Sequence, residues 1–350
     1  MKVLLAMSGG VDSSVAGALL LDSGHDVVGV TMKLWGGDSD TGCCSVSDVD
    51  DARRVAQQLG IDHLVFNFGD DFDRHVVDPY IRDHALGVTP NPCVECNRHV
   101  KFDRLLTRSE QLGFDAVATG HHARIGRTSS GAYTLERGAD AAKDQSYVVH
   151  MLDQATLART MFPVGSIDKA AVRRMAREMG LRTASKPDSQ DVCFITSTGG
   201  RETFLGDRIS FRPGRVVDHE GAQVGAVPAV EMVTIGQRRG IGLRGGGPKQ
   251  YVVDIDVPRA TVTVGGDADL LRPEVMVGPV SWTDGPVTGE ALVQTSAHGE
   301  VRSARLDIAD AGGDVLVVWN EPQRRIAPGQ SVVFYDRSDT RVLGGGPAIR

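Results

Sequence analysis

The sequence predicts an α/β protein: a doubly wound parallel sheet followed by two small β-rich modules, the last of them a β-barrel. Three observations carry that prediction. Apolar β-runs alternate with helical periodicity over the first half of the chain. A glycine–serine loop joins the first strand run to the first helical run. Beyond residue 200 helical periodicity gives way to short β-rich runs broken by Gly and Pro. A chain of 350 residues is long enough for two or three domains. The expected division is 1–200, 201–270 and 271–350.

Val3-Leu4-Leu5-Ala6-Met7 reads as a buried strand, and residues 13–23 follow as a helix with Val15, Ala16, Leu19 and Leu20 on one face. Val27–Met32 is the next strand. Asp48 is the expected cap of a helix carrying Val49, Ala52, Val55, Ala56 and Leu59, which Gly60 ends. His63–Asn67 is a strand, Phe102, Leu105 and Leu106 mark a helix, and Ala116–Thr119 a further strand. Val172, Met175, Ala176 and Met179 recur at helical spacing before Gly180. The later β-runs are 214–217, 251–255, 261–264, 315–319 and 331–335, with Pro273 at the expected second boundary.

A hydrophobic fraction of 41% and a charged fraction of 24% are those of an ordinary globular protein. No apolar run reaches the roughly 20 residues of a membrane span. Ser8, Gly9, Gly10 and Asp12 interrupt the apolar start too early for a secretory signal, so a cytoplasmic location with no membrane partner is expected. The net charge of −7 speaks against indiscriminate nucleic-acid binding. A local basic surface remains open to RNA, with Arg238, Arg239, Arg244 and Lys249, then Arg302, Arg305, Arg324 and Arg325, as its candidates. In such a compartment five cysteines point to redox, metal or catalytic work more than to structural disulfides.

The sharpest motif is Ser8-Gly9-Gly10-Val11-Asp12-Ser13-Ser14, at the first strand–helix junction. Adjacent glycines let backbone approach an anion, and the helix start offers unpaired N–H groups. Asp12 makes sense there holding Mg²⁺ against a pyrophosphate. The loop lacks the lysine of the common G-x-x-x-x-G-K-[ST] phosphate loop. It resembles the signature of the PP-loop ATP pyrophosphatases, which transfer AMP to a substrate oxygen. That resemblance implies an ATP site built from Ala6, Met7, Ser8, Gly9, Gly10, Val11, Asp12 and Ser13, with Met32 toward the adenine and Gly120 on the same sheet edge.

Further motifs are Thr89-Pro90-Asn91-Pro92-Cys93-Val94-Glu95-Cys96-Asn97, Ala118-Thr119-Gly120-His121-His122, Lys143-Asp144-Gln145-Ser146-Tyr147, Ser189-Gln190-Asp191-Val192-Cys193-Phe194 and Ile235-Gly236-Gln237-Arg238-Arg239-Gly240. Together they resemble the bacterial tRNA-specific 2-thiouridylases over nearly the whole chain. The resemblance implies ATP-dependent adenylation of O2 of the wobble uridine in a tRNA, then its replacement by sulfur from a persulfide-donor protein, a cysteine desulfurase or a relay. Cys96 matches the nucleophile and Cys193 the persulfide carrier. Asn91, Pro92 and Cys93 match the segment touching the target base. His121, Lys143, Asp144, Gln145, Arg238, Arg239 and Gln330 match tRNA-contacting positions. Cys43 and Cys44 carry no such context.

One departure matters: Cys93 stands where the family pattern has Asp. Plain persulfide chemistry with no metal is the first choice; as alternatives, Cys93, Cys96 and Cys193 form three thiolates that could hold a [4Fe–4S] cluster, or zinc with a histidine as fourth ligand, or Cys93 is a silent substitution. Ser303 stands where the pattern leads one to expect an aromatic residue. An amidating PP-loop synthetase and a non-enzymatic RNA-docking protein are the competing readings. The first leaves Cys96, Cys193 and both β modules unexplained, and the second predicts no turnover.

Overall fold

The computed structural model describes residues 1–349 except 35–45, 189–191, 197–199, 244–246 and 310–312. Cys43, Cys44, Arg244 and the run 189–191 lie outside the described residues, as do the side chains of Val46, Cys193 and Thr196.

The first layer is a parallel sheet. The chain enters through β1 (Lys2–Ala6), β2 (Asp26–Lys33), β3 (His63–Asn67) and β4 (Ala116–Ala118). It makes a hairpin, β5 (Ala123–Arg127) and β6 (Tyr133–Arg137), and returns to the sheet as β7 (Thr160–Met161). The order is β3-β2-β1-β4-β7. Alternate residues of β1 face opposite sides. Val3 and Leu5 pack with Val15, Ala16 and Leu20 of α1 (Val11–Asp22) and Ala52, Val55 and Ala56 of α2 (Val46–Leu59). Leu4 and Ala6 pack with Phe72, Val76, Tyr80, Val100 and Leu105. Helices therefore cover both faces, as a doubly wound sheet requires.

The second covering face has two continuous helices, α3 over residues 69–85 and α4 over 92–111. Each contains a π-helical stretch, Asp73–Val77 in α3 and Cys96–Arg104 in α4. Two corrections apply to the other face. The helix expected from residue 13 begins at Val11, because Gly10 already takes the extended conformation of an N-cap. Asp48 lies inside α2 rather than at its cap, and its carboxylate accepts from Lys186 Nζ at 2.7 Å. The helix α5 (Lys169–Glu178) is capped by Asp168, which accepts from Ala171 N at 2.7 Å, and the chain turns away at Gly180 with φ +65°.

Two short helices, α6 (Cys193–Thr196) and α7 (Arg201–Gly206), lead to a four-stranded sheet of β8 (Gly214–Val217), β9 (Gln223–Val227), β10 (Tyr251–Asp256) and β11 (Thr261–Gly265), ordered β10-β11-β8-β9. The last module holds β12 (Leu271–Val277), β13 (Ser281–Trp282), β14 (Gly289–Gln294), β15 (Arg302–Ile308), β16 (Val315–Arg324), β17 (Ser331–Tyr335) and β18 (Arg341–Pro347). It closes through a bridge between Val277 and Ala348 around Val277, Val293, Leu306, Val317 and Phe334. Pro273 lies within β12, not between modules. The pairing of β12 with β16 shifts register between Arg272 and Glu274, where proline has no N–H to give the ladder.

The barrel sheet also reaches back into the first 200 residues. β6 pairs with β18 through Leu135–Val342 and Glu136–Arg341. Arg137 fastens the joint. Its guanidinium donates to Asp144 at 2.7 Å, Asp339 at 2.8 Å and Gln294 at 3.0 Å, and lies 3.8 Å from the Tyr335 ring centre.

Candidate active site

The sheet order places a topological switch between β1 and β4: the chain leaves β1 toward β2 and β3 on one side, while β4 and β7 extend the other. Ligands collect in the crevice such a divergence opens at the carboxyl ends of the strands. The loop Ser8–Ser14 leaves β1 there and Gly120 follows β4 there. The loop is tightly held. Gly9 has φ +69°, and a Cβ on it would meet the Asp48 carbonyl oxygen at 2.5 Å. A Cβ on Gly120 would meet Ser13 N at 2.6 Å and Asp12 C at 2.9 Å. Glycine at 120 thus lets the β4 loop close onto the start of α1. Ser14 Oγ donates to the Gly10 carbonyl at 2.7 Å and accepts from Thr183 at 3.0 Å, whereas Ser8 is exposed at the mouth.

Asp12 is the electrostatic centre. Lys169 Nζ lies 2.7 and 2.6 Å from its two oxygens and His122 Nε2 lies 3.0 Å from Oδ1. Burial alone pushes the Asp12 carboxyl up. The hydrogen bonds and charges of His122 and Lys169 outweigh it and hold the group below the ordinary range. Lys169 also reaches Asp188 at 2.9 Å, and Asp188 binds Lys143 at 2.8 Å and Arg173 at 2.6 Å. Burial opposes the ionised form of Asp188 too, yet these cations keep it far below a normal aspartate. Three cations and two carboxylates therefore gather beside the loop.

Lys169, Arg173 and Asp188 escaped the sequence reading. Lys169 lies 157 positions from Asp12 and opens an ordinary amphipathic helix, so only its place directly after the cap Asp168 hinted at a role. Among the described residues no group of three or more His, Cys, Asp or Glu side chains gathers as a metal site. A magnesium ion at the loop would have Asp12 as its carboxylate and phosphate oxygens and water for the rest, which suits an ion that keeps several waters.

Asn91 caps α4: its Oδ1 accepts from Cys93 N at 3.1 Å and Val94 N at 3.4 Å. Cys93 and Cys96 are half-buried. Cys96, like Met32 and Val192, packs against the apolar cluster that contains Leu4, Ala6 and Phe194. The fold thus gathers into one cluster the end of β1, the Met32 end of β2, the Cys96 helix and the segment around Cys193. Val192, β-branched, is held at φ +53° directly before Cys193, a conformation that costs about 1–3 kcal/mol.

The expected RNA contacts divide. Arg238, Arg239 and Lys249 are exposed and, among the described residues, enter no ion pair. Arg302, Arg305, Arg324 and Arg325 pair with Glu300, Asp307, Asp267 and Asp254. Lys143 is exposed but paired with Asp188. Asp144 is turned inward, accepting from Arg137, Gly138 N and both the N–H and hydroxyl of Ser146. Gln145 exchanges hydrogen bonds with the His122 backbone, and Gln330 donates to the Thr89 carbonyl at 2.7 Å. His121 is buried between Phe102 and Phe162, its Nδ1 2.6 Å from the Thr119 hydroxyl, and burial holds it well below the usual histidine range. As placed, Asp144, Gln145 and His121 all bond within the fold; His121 is buried, while Asp144 and Gln145 keep part of their surface exposed.

A crevice of this kind, with a glycine-rich loop feeding a helix start and cations converging beside it, defines a nucleotide-binding α/β enzyme. Family models described as "tRNA methyl transferase HUP domain", "tRNA methyl transferase PRC-barrel domain" and "Aminomethyltransferase beta-barrel domain" match residues 1–197, 202–266 and 272–348. The tRNA-specific 2-thiouridylase of Chloroflexus aurantiacus is 47% identical across 99% of this chain and 97% of its own. That of Roseiflexus sp. is 44% identical across 100% and 99%. The chain belongs to the tRNA-specific 2-thiouridylase family. A solved 4-thiouridine synthetase–RNA complex with bound ATP overlaps 58% of this chain and 46% of its own at 22% identity and a TM-score of 0.38, too loosely to transfer any residue.

Proposed function

We propose that the chain binds ATP across the Ser8–Ser14 loop, adenylates O2 of the wobble uridine of a tRNA, and replaces that oxygen by sulfur. What supports the reading is the glycine-rich loop at the carboxyl end of β1 with the cation cluster around Asp12 beside it, and the packing of Cys96 and of Val192, the residue before Cys193, against the apolar cluster on one face of the same sheet. The family models bear methyltransferase names, while the full-length relatives are thiouridylases. A methyl donor needs neither a pyrophosphate cradle nor paired thiols, so the site supports the second.

Uridine O2 is a poor leaving group, and attack of O2 on the α-phosphorus makes it AMP. The loop N–H groups and Lys169 receive the departing pyrophosphate; a magnesium ion, if bound, would be held by Asp12 and would neutralise part of the phosphate charge. A persulfide on Cys193, supplied by a desulfurase or relay protein, attacks C2 with loss of AMP. The Cys96 thiolate then attacks the Cys193 sulfur, 2-thiouridine leaves, and a Cys96–Cys193 disulfide remains for an external thiol to reduce. Cys93 is the third thiol of a donor set that also suits a [4Fe–4S] cluster, and iron content in Cys93→Ala protein purified without oxygen separates the two routes. Residues 1–200 form the catalytic unit in this reading, while 201–270 and 271–350 grip the tRNA, with Arg238 and Arg239 meeting phosphates. Radiolabelled pyrophosphate release tests it: release must depend on added tRNA. Release with a small amine acceptor in place of tRNA would instead favour an amidating synthetase.

A further inference from the structure

The loop that leads from α3 into α4 is held by the barrel. It ends on Asn91, which caps α4, and Pro92, its first residue. Thr89, two residues earlier, gives both of its backbone groups to the barrel. Its N–H donates to the Pro328 carbonyl at 2.8 Å, and its carbonyl accepts from Gln330 Nε2 at 2.7 Å. Gly329 lies between these two at φ +87°, and a Cβ there would meet Val88 Cγ1 at 2.6 Å and the Thr89 carbonyl oxygen at 3.1 Å. Glycine is what lets the two loops come this close. The barrel loop is itself fixed. Gly329 N–H donates to the Ala348 carbonyl at 2.9 Å, and Ala348 N–H donates to the Gln330 carbonyl at 2.8 Å. Ala348 is the residue that bridges to Val277 where the barrel closes.

A second contact lies beyond the capped turn. Arg98 Nη1 of α4 donates to the hydroxyl of Ser281, in β13, at 2.9 Å. The barrel therefore touches the chain at Thr89 and again at Arg98, and the residues between carry Asn91, Pro92, Cys93 and Cys96. The two contacts span 241 and 183 positions of sequence, so the placing of this segment depends on the barrel being docked. Reacting groups tolerate little displacement: a shift of about 1 Å can cost roughly a hundredfold in rate.

We infer that the barrel is part of the positioning machinery of the reaction: Gln330, Gly329 and Ser281 hold residues 89–98 in register with the target base, and Gln330 is a positioning residue, not an RNA contact. The inference rests on the thiouridylase reading, which gives Asn91 and Pro92 to the target base and Cys96 to sulfur transfer. The test uses the full chain with Gln330→Ala, Ser281→Ala and Gly329→Ala. Amide hydrogen exchange without RNA reads the tether directly. In Gln330→Ala the N–H groups of Thr89, Cys93 and Val94 should exchange about fivefold faster, the scale of one net hydrogen bond, with the melting temperature close to that of wild type. With persulfide-loaded enzyme, ATP and saturating tRNA, single-turnover formation of 2-thiouridine should slow about tenfold in Gln330→Ala and about threefold in Ser281→Ala, with tRNA and ATP affinities unchanged. Gly329→Ala forces the loops apart and should slow it further; if it does not fold, the other two variants carry the test. An RNA contact gives the opposite split: tRNA affinity falls, the rate at saturation is kept, and exchange matches wild type. That split in Gln330→Ala overturns the inference, as does wild-type turnover in all three variants. Wild type that forms no 2-thiouridine fails the thiouridylase reading instead, and the exchange measurement, made without RNA, still decides whether the barrel holds the segment.

Discussion

Replacing Lys169 by Met removes the cation shared by Asp12 and Asp188 while keeping the length of the side chain. At about 2.7 Å and an effective dielectric near 20, the Asp12–Lys169 attraction is about 6 kcal/mol before desolvation is subtracted. Lys169 is 11% exposed and Asp12 27%, so screening is modest. Breaking such a pair from one side costs about 3–5 kcal/mol in full burial. His122 still holds Asp12, and Lys143 and Arg173 still hold Asp188, so the expected loss is about 2 kcal/mol. Thermal melting of the first unit should fall by roughly 4–8 °C. The double variant Asp12→Asn, Lys169→Met removes the stranded carboxylate and should recover most of that loss, but neither variant should release pyrophosphate. The assay is a melting cycle over the four proteins, with tRNA-dependent pyrophosphate release measured on each. A single variant that melts like wild type and turns over normally would refute the assignment of Lys169 to the reacting phosphates. A coupling near zero would refute the pair itself.

Gly120→Ala should abolish ATP binding with little loss of secondary structure, because its methyl would drive the β4 loop off Ser13 N; normal ATP affinity by calorimetry would contradict that close approach. Asp144→Asn should lower the melting temperature by roughly 5 °C or more and loosen the barrel from the first unit, because it weakens the acceptor shared by Arg137, Gly138 and Ser146. A stable variant with weakened tRNA binding would instead make Asp144 an RNA contact. His84 and His150 are both held neutral by burial, with values pushed down to about 4. From about pH 6.5 the unfolded chain takes up protons that the folded chain refuses until near pH 4. Stability should fall as pH drops through that window, by up to about 3 kcal/mol per histidine. His84→Phe should flatten the dependence of the urea midpoint on pH, and an unchanged slope would count against a neutral buried His84.

The parallel sheet was legible because its central strands β1 and β4, buried on both faces, are plain apolar runs, and the glycine–serine loop because glycine and serine at a strand–helix junction have few other uses. Residues 69–111 were harder. Their π-helical turns break the 3.6-residue period, so only Phe102, Leu105 and Leu106 marked a helix. Asp144 and Gln145 are polar and sit in a Gly-poor turn, which reads as surface. They face inward because Arg137 and the His122 backbone require partners that only the folded hairpin brings near. Lys169 and Asp188 were invisible for the same reason: their partners are distant in sequence, and nothing local distinguishes a helix-start lysine that pairs with a buried carboxylate from one that meets water.

The proposed mechanism delivers sulfur to a tRNA base through Cys193 and Cys96. Nucleoside mass spectrometry on a wobble-uridine tRNA, after one turnover with persulfide-loaded enzyme and ATP, tests it most directly. Wild type should yield 2-thiouridine at that position together with one AMP and one pyrophosphate per base. Cys96→Ser should release AMP's partner pyrophosphate but form no 2-thiouridine. Full thiolation by Cys96→Ser, or wild-type turnover that leaves the wobble uridine unsulfurated, would contradict the account.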